Sequence, residues 1–186
     1  MDLRRCCYLL CLIMGLSSCE GPQPRRPVKV KTGSFFKAST DRSKKLLAQE
    51  EATIQEIIAK DTTHTYQHSS YGSWYYYDQN NKSDDYTPQP DDLVTLTYNI
   101  VTFDNDTLYS NEDIGVIKYK VDKQELFQGL RNSVKLLKEN ETATFLFPSS
   151  LAYGYHGDNN KIGVSVPIKA TISLLKIEKS NEQIQN

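Results

Sequence analysis

Between residues 124 and 138, Leu126, Phe127, Leu130, Val134 and Leu137 fall at three-to-four spacing, the stripe of one amphipathic helix. On both sides of it the period changes to two. Val94, Leu96, Tyr98 and Ile100 alternate with Thr95, Thr97 and Asn99, which reads as a strand. Asp104-Asn105-Asp106 marks a turn, with a short strand over Thr107 to Ser110 and renewed alternation from Lys118 to Asp122. After the helix, Asn140 suits a left-handed cap, a strand runs from Thr142 to Phe147, and Pro148 stops it. A long polar loop to Gly163 precedes a closing strand, Ala170 to Ile177. Strands before and after one helix imply an α+β fold, an antiparallel β-sheet curled over one central α-helix.

The first residues have another purpose. Arg4 and Arg5 precede an apolar run from Tyr8 to Leu16, which at about nine residues fits an export signal and falls short of the ~20 needed to span a bilayer. It ends at Leu16-Ser17-Ser18-Cys19, small residues before a cysteine, which resembles the lipobox of bacterial lipoproteins. Small side chains fit a signal peptidase, and the thiol takes the diacylglycerol. The alternative is an ordinary cleaved signal beside a chance cysteine. All four cysteines (Cys6, Cys7, Cys11 and Cys19) lie at or before this point, so the rest has no thiol for a disulfide, a thiolate metal site or a nucleophile. Removing 18 of the 186 residues leaves 168, enough for one domain and an extension. The formal charge of −1 gives no electrostatic case for nucleic acid.

Three stretches lie between signal and sheet. Residues 19–38 read as a lipid-anchored tether, with Pro22, Pro24 and Pro27 among Arg25, Arg26, Lys29 and Lys31. Those bases either meet anionic headgroups or are simply solvated. Residues 39–71 read as a helical extension and linker. Leu46, Leu47, Ile54, Ile57 and Ile58 give ~5 turns of amphipathic helix, with Ser39, Thr40 or Asp41 as N-cap. The stripe packs on its own domain or on a partner helix. Trp74-Tyr75-Tyr76-Tyr77 then reads as a short strand. His64 and His68 stand four apart, but the segment is a poor helix without a third ligand, so no metal is expected.

In their order, several motifs resemble the FKBP-type peptidyl-prolyl isomerases. Phe147-Pro148 through Leu151-Ala152-Tyr153-Gly154 is similar to the family's I-P-x-x-x-A-Y-G block. Leu126-Phe127-Gln128-Gly129-Leu130 resembles its V-I-x-G-W/L approach to the central helix. Pro90-Asp91-Asp92-Leu93-Val94 with Tyr98 resembles the opening strand, and Val166-Pro167 with Ala170-Thr171 the last one. The resemblance implies an isomerase domain over residues 72–179 and a C-terminal tail over 180–186. It implies catalytic roles for Tyr153, Phe127 and Tyr98, with Phe127 offering its N–H and Tyr153 its hydroxyl to a substrate carbonyl. Leu108, Tyr109, Ile117, Leu126, Leu130 and Val166 would line the pocket for the substrate.

The chain departs from the family at Leu130, where the best-known members have tryptophan, at Leu108 and Ile117, where they have phenylalanine, and at Tyr109, where they have an acid. The pocket should therefore be larger and less aromatic. No cofactor is implied. Partners would be proline-containing exported polypeptides in the periplasm, with the membrane reached through lipid on Cys19. A narrower resemblance rests on Arg25-Arg26-Pro27, Gly33-Ser34-Phe35, Lys44-Lys45-Leu46-Leu47, Gln49-Glu50-Glu51 and Trp74-Tyr75-Tyr76-Tyr77. It is to the gliding-motility-associated lipoprotein branch of the family, and implies envelope motility or secretion proteins as partners. Two readings remain: a lipid-anchored isomerase facing the periplasm, or a binding module that keeps the fold with turnover incidental.

Overall fold

The computed structural model describes residues 32–83 and 85–180, and only the backbone course of residues 32–35. The stretch that reads as an export signal, Cys19, most of the stretch that reads as a tether, and residues 181–186 lie outside the described residues. The chain divides into two compact units, Met1–Ala38 and Ser39–Asn186, and every strand belongs to the second. In order come α1 (Thr32–Lys60), β1 (Gln67–His68), β2 (Trp74–Gln79), β3 (Leu93–Tyr98), β4 (Ile100–Val101) and β5 (Thr107–Tyr109). Then come α2 (Asn111–Ile114), β6 (Ile117–Lys120), α3 (Gln128–Val134), β7 (Glu141–Phe147) and β8 (Ile168–Glu178). Among the described residues no helix is long and apolar enough to cross a membrane.

The strands form one sheet, ordered β1-β2-β7-β8-β3-β6, with β4 paired to β5 and β8. Every pairing is antiparallel, as the alternation of period two implied. Val94, Leu96, Tyr98 and Ile100 are buried, as are Ile168, Ala170, Ile172 and Leu174 on β8. Strand β7 has an unbroken buried run from Ala143 to Phe147 because it lies between two neighbours and is covered. Two buried carboxylates are satisfied locally. Asp92 accepts from the Tyr86 hydroxyl (2.6 Å) and the N–H groups of Gln89 and Ser180, and Glu141 accepts from those of Asn81 and Lys138.

The central helix is shorter than its apolar stripe. The stripe predicts a helix over 124–138, whereas α3 has seven residues. Asp122 turns left-handed at φ 59°, Phe127 is extended (φ −61°, ψ 147°), and beyond Val134 the chain tightens through Leu136 N–H to Ser133 C=O (2.9 Å). Leu130, Val134 and Leu137 are nonetheless fully buried. Their spacing records burial on one side, which turns continue where the helix stops. Helix α1 departs in the other direction. It starts at Thr32, and Ser39, Thr40 and Asp41 are interior to it. Ser43 donates its hydroxyl back to the Ser39 carbonyl (3.2 Å), which is a bond of the helix interior. Within the second unit α1 buries Glu50 and Ile54.

Gly129 sets how closely α3 approaches the sheet. Its N–H donates to the Leu151 carbonyl at 2.6 Å. A Cβ there would stand 2.7 Å from the Phe147 ring and 2.9 Å from the Leu151 oxygen, closer than any packed carbon can be. Gly129→Ala should thus overpack this contact and destabilise by about 1–3 kcal/mol. Urea unfolding should show a lower midpoint at an unchanged slope, and an unaltered midpoint would refute the contact.

Candidate functional site

Phe127 is the N-cap of α3, so its extended backbone breaks direction just before the helix. Its carbonyl accepts from Arg131 (3.2 Å), and among the described residues no carbonyl accepts its own N–H. Tyr153 comes from the turn after β7. There the Pro148 carbonyl accepts from Leu151 (2.9 Å), the Ser149 carbonyl accepts from Gly154 (2.9 Å), and Gly154 takes φ 58°. The Gly154 carbonyl accepts from the Ser165 N–H at 2.8 Å, which ties the Tyr153 arm of the loop to the Val166 arm.

These segments bring four rings together. Phe127 lies 5.2 Å from Tyr153 (tilted), 6.2 Å from Tyr98 (edge-on) and 5.7 Å from Phe147 (edge-on). Such separations suit aromatic pairing, and the rings form an apolar wall with two phenolic hydroxyls. The stack continues into the sheet, with Phe147 on Phe145 and Phe145 on Tyr75. Burial, with Tyr98, Asp158 and Tyr109 nearby, raises the Tyr153 phenol well above its ordinary value, and burial raises that of Tyr98. Both hydroxyls are therefore neutral donors at physiological pH.

The structure packs the rings of Tyr98 and Tyr153 against that of Phe127, the three residues to which the motifs assign catalysis. Leu108, Tyr109, Ile117, Leu126 and Val166 are half-buried around the same core, and Leu130 is fully buried within it. Cys19 lies outside the described residues. His64 bonds Asp61 (2.8 Å) and stacks on Tyr76, while His68 packs on Trp74. Among the described residues no group of three or more His, Cys, Asp or Glu is placed to hold a metal.

Two residues to which the motifs assign no role in the site belong here. Phe147 closes the ring cluster; its place before Pro148 is visible in the sequence, but not that it faces Phe127. Asp158 organises the loop. One oxygen accepts from the N–H groups of Asn160 (2.9 Å) and Ile162 (2.7 Å), and the other from the Tyr109 hydroxyl. Tyr109 also accepts from Asn160 Nδ2 (3.1 Å), and the Lys161 ammonium lies over its ring at 4.8 Å. Burial opposes the charged form of Asp158. The bonds from Tyr109 and the two N–H groups outweigh it and hold the carboxyl below the usual range. A carboxylate from the loop thus stands at the Tyr109 hydroxyl. Its signal was the Asp158-Asn159-Asn160 turn, which composition alone reads as polar filler.

Residues 84–175 match the profile of the FKBP-type peptidyl-prolyl cis-trans isomerases. The chain is 30% identical over 128 residues to a probable FKBP-type peptidyl-prolyl cis-trans isomerase, FkpA, of Neisseria meningitidis serogroup B, covering 68% of this chain and 44% of that one. It thus spans less than half of that relative's length. In fold it is similar to a peptidyl-prolyl cis-trans isomerase from Pseudomonas syringae pv. tomato (TM-score 0.56, 15% identity), over 74% of this chain and 96% of that one. It is also similar to FkpA from Escherichia coli (TM-score 0.54, 20% identity), over 96% and 83% respectively.

Asp158 gives a prediction of its own. A carboxyl with a depressed folded pKa stabilises above its unfolded value, about 3.9, and loses that contribution as pH falls through the lower folded value. Relative to the intrinsic exchange rate at each pH, the amides of Asn160 and Ile162 should stay slow at neutral pH and quicken as the pH falls through the depressed Asp158 value, with β7 and β8 still protected. Asp158→Asn should give the quickened pattern at pH 7. Equal protection in both proteins at pH 7 would show that the carboxylate does not hold the loop.

Proposed function

We propose, since the chain belongs through residues 84–175 to the FKBP-type peptidyl-prolyl cis-trans isomerase family, that its ring-lined pocket accelerates rotation about X–Pro bonds in polypeptides. The observation that carries the reading is the convergence of Tyr98, Phe127 and Tyr153 beside an extended Phe127 backbone. The barrier is amide resonance, ~18–20 kcal/mol, and uncatalysed exchange takes tens to hundreds of seconds. Reaching milliseconds needs about 10⁴-fold, or roughly 5.5 kcal/mol. No nucleophile, metal or cofactor is required. The planar amide is the more charge-separated form and loses most when water is removed, so an apolar wall lowers the barrier. The Phe127 N–H and Tyr153 hydroxyl would hold the carbonyl while the bond twists. A neutral hydrogen bond contributes only about 0.5–1.5 kcal/mol net, which leaves the larger share to shape and desolvation.

The sequence supports a cellular setting for this chemistry. Diacylglycerol on Cys19 would anchor the protein in the cell envelope, facing the periplasm, with residues 19–38 as tether and exported polypeptides as clients. The narrower resemblance carried by the Arg25-Arg26-Pro27 and Trp74–Tyr77 segments supports a link to gliding motility or secretion machinery.

Two outcomes are expected. In a prolyl-peptide exchange assay the wild-type chain accelerates isomerisation, and Tyr153→Phe costs about 1 kcal/mol, roughly five-fold in kcat/KM. A thousand-fold loss would contradict the desolvation account, and an inactive wild type would leave the fold as a binding module. Separately, Cys19→Ser should abolish labelling by a palmitate analogue and leave precursor uncleaved; normal labelling of that variant would sink the anchor.

A further inference from the structure

Glu50 lies on α1, ahead of the segment 84–175 that matches the family, and the isomerisation chemistry gives it no part. It is nonetheless buried, with 6% of its surface exposed, and Ile54, one turn further along the same face, is fully buried. That burial fixes the helix within its unit, so the Glu50 carboxyl is held at a set place. One of its oxygens, Oε2, accepts from the Ser149 N–H at 2.9 Å, across a separation of 99 residues. The other, Oε1, has no partner among the described residues. A buried acceptor left without a donor costs stability, so this carboxyl is a poor stabiliser. What it does supply is a fixed acceptor for one particular N–H.

That N–H belongs to the residue from which Tyr153 hangs. Ser149 is itself buried, just past the end of β7. Its carbonyl accepts from the Ala152 N–H at 3.1 Å and from the Gly154 N–H at 2.9 Å. Those two residues stand on either side of Tyr153, so the main chain that carries its ring is suspended from a single carbonyl. The N–H and the carbonyl of Ser149 are joined through its own Cα, and a rotation that moves one moves the other. The Tyr153 hydroxyl stands at the far end of its ring, where a small rotation of the main chain is magnified. A hydrogen bond weakens steeply once its angle falls below about 120°, so that displacement matters to a donor aimed at a twisting amide. We propose that Glu50 is a positioning residue for prolyl isomerisation, which through Ser149 sets where Tyr153 presents its hydroxyl to the substrate carbonyl. It touches no substrate itself. The proposal rests on the isomerase reading for its reaction, and it makes α1 part of the isomerase unit.

A double-mutant cycle on the full chain, read as kcat/KM in the prolyl-peptide assay, separates positioning from support of the fold. Glu50→Leu removes the acceptor at similar volume, Glu50→Asp withdraws it by one methylene, and Glu50→Gln keeps an oxygen in place. Glu50→Leu and Glu50→Asp should each lower kcat/KM about two- to five-fold, the loss of the hydroxyl itself being the ceiling, and Glu50→Gln should stay within about 1.5-fold of wild type. In the Tyr153→Phe background all three should lie within about 1.5-fold of Tyr153→Phe alone, because no hydroxyl is left to place. Losses of equal size in both backgrounds would mean that Glu50 only supports the fold, and would overturn the proposal. Full activity in Glu50→Leu and Glu50→Asp would overturn it too. Should Glu50→Leu fail to fold by circular dichroism, Glu50→Asp decides alone. An inactive wild type would instead reject the isomerase reading. The placement of Tyr153 is then judged by nuclear magnetic resonance: its ring signals should move in Glu50→Asp and stay in Glu50→Gln, and unmoved signals in Glu50→Asp would refute it.

Discussion

The hydrogen bond from the Gly129 N–H to the Leu151 carbonyl, 2.6 Å long, sets the distance between the two segments that carry Phe127 and Tyr153. Neither segment is regular structure. Phe127 sits ahead of α3 and Tyr153 comes after β7, so neither is held by a ladder of its own. Glycine at 129 lets the helix settle onto the Phe147 ring, and that descent brings Phe127 against both Phe147 and Tyr153. Any side chain there would meet the Phe147 ring and the Leu151 carbonyl and push α3 away from them. The buried run of β7 supplies the rigid surface on which the contact is made, since β2 and β8 flank that strand on both sides.

The loop from Pro148 to Pro167 is held by packing and by polar bonds together. Leu151, Ala152 and Ile162 are buried in the core, and polar order is added by Asp158 with Tyr109, by the Gly154–Ser165 bond, and by Glu50 reaching across from α1 to Ser149. The apolar contacts of Gly129 are indifferent to pH, whereas the Asp158 bonds fail when its carboxyl is protonated. The α3 side of the ring cluster is thus set by packing, and the loop side by packing together with charge-assisted hydrogen bonds.

What could be read from the sequence was whatever depends on short-range alternation. The strands around Tyr98 and Phe147, the left-handed Asn140 (φ 63°) and the aromatic strand at Trp74 arise from local pattern, and the structure has them. The convergence of Tyr98, Phe127 and Tyr153 came from the family motifs, not from periodicity. The helix over 124–138 was overdrawn because an apolar stripe marks what is buried and does not require an unbroken helix behind it. Helix α1 was drawn too short because Ser39, Thr40 and Asp41 look like caps while being equally tolerated inside a long exposed helix. The pairing of β1 with β2, the Asp158–Tyr109 contact and the Glu50–Ser149 bond were not legible. Each joins residues through a turn or over a long separation, 99 positions in the last case, and nothing local encodes the partner.

The residues at 127 and 130 are better understood together than singly. In the family's V-I-x-G-W/L segment the aliphatic position precedes the aromatic one by three residues, which is one turn of helix. Here the order is reversed, with Phe127 ahead of Leu130. Aromatic bulk is kept in the segment but moves from the helix interior to its N-cap. Leu130 is fully buried, while Phe127 is half-buried and touches three other rings. A proline ring entering this site would therefore meet its aromatic partner at the wall, beside the N–H that would hold the carbonyl, and not at the floor. Replacing Leu130 by tryptophan alone would force a larger ring into a filled core, where overpacking costs about 1–3 kcal/mol.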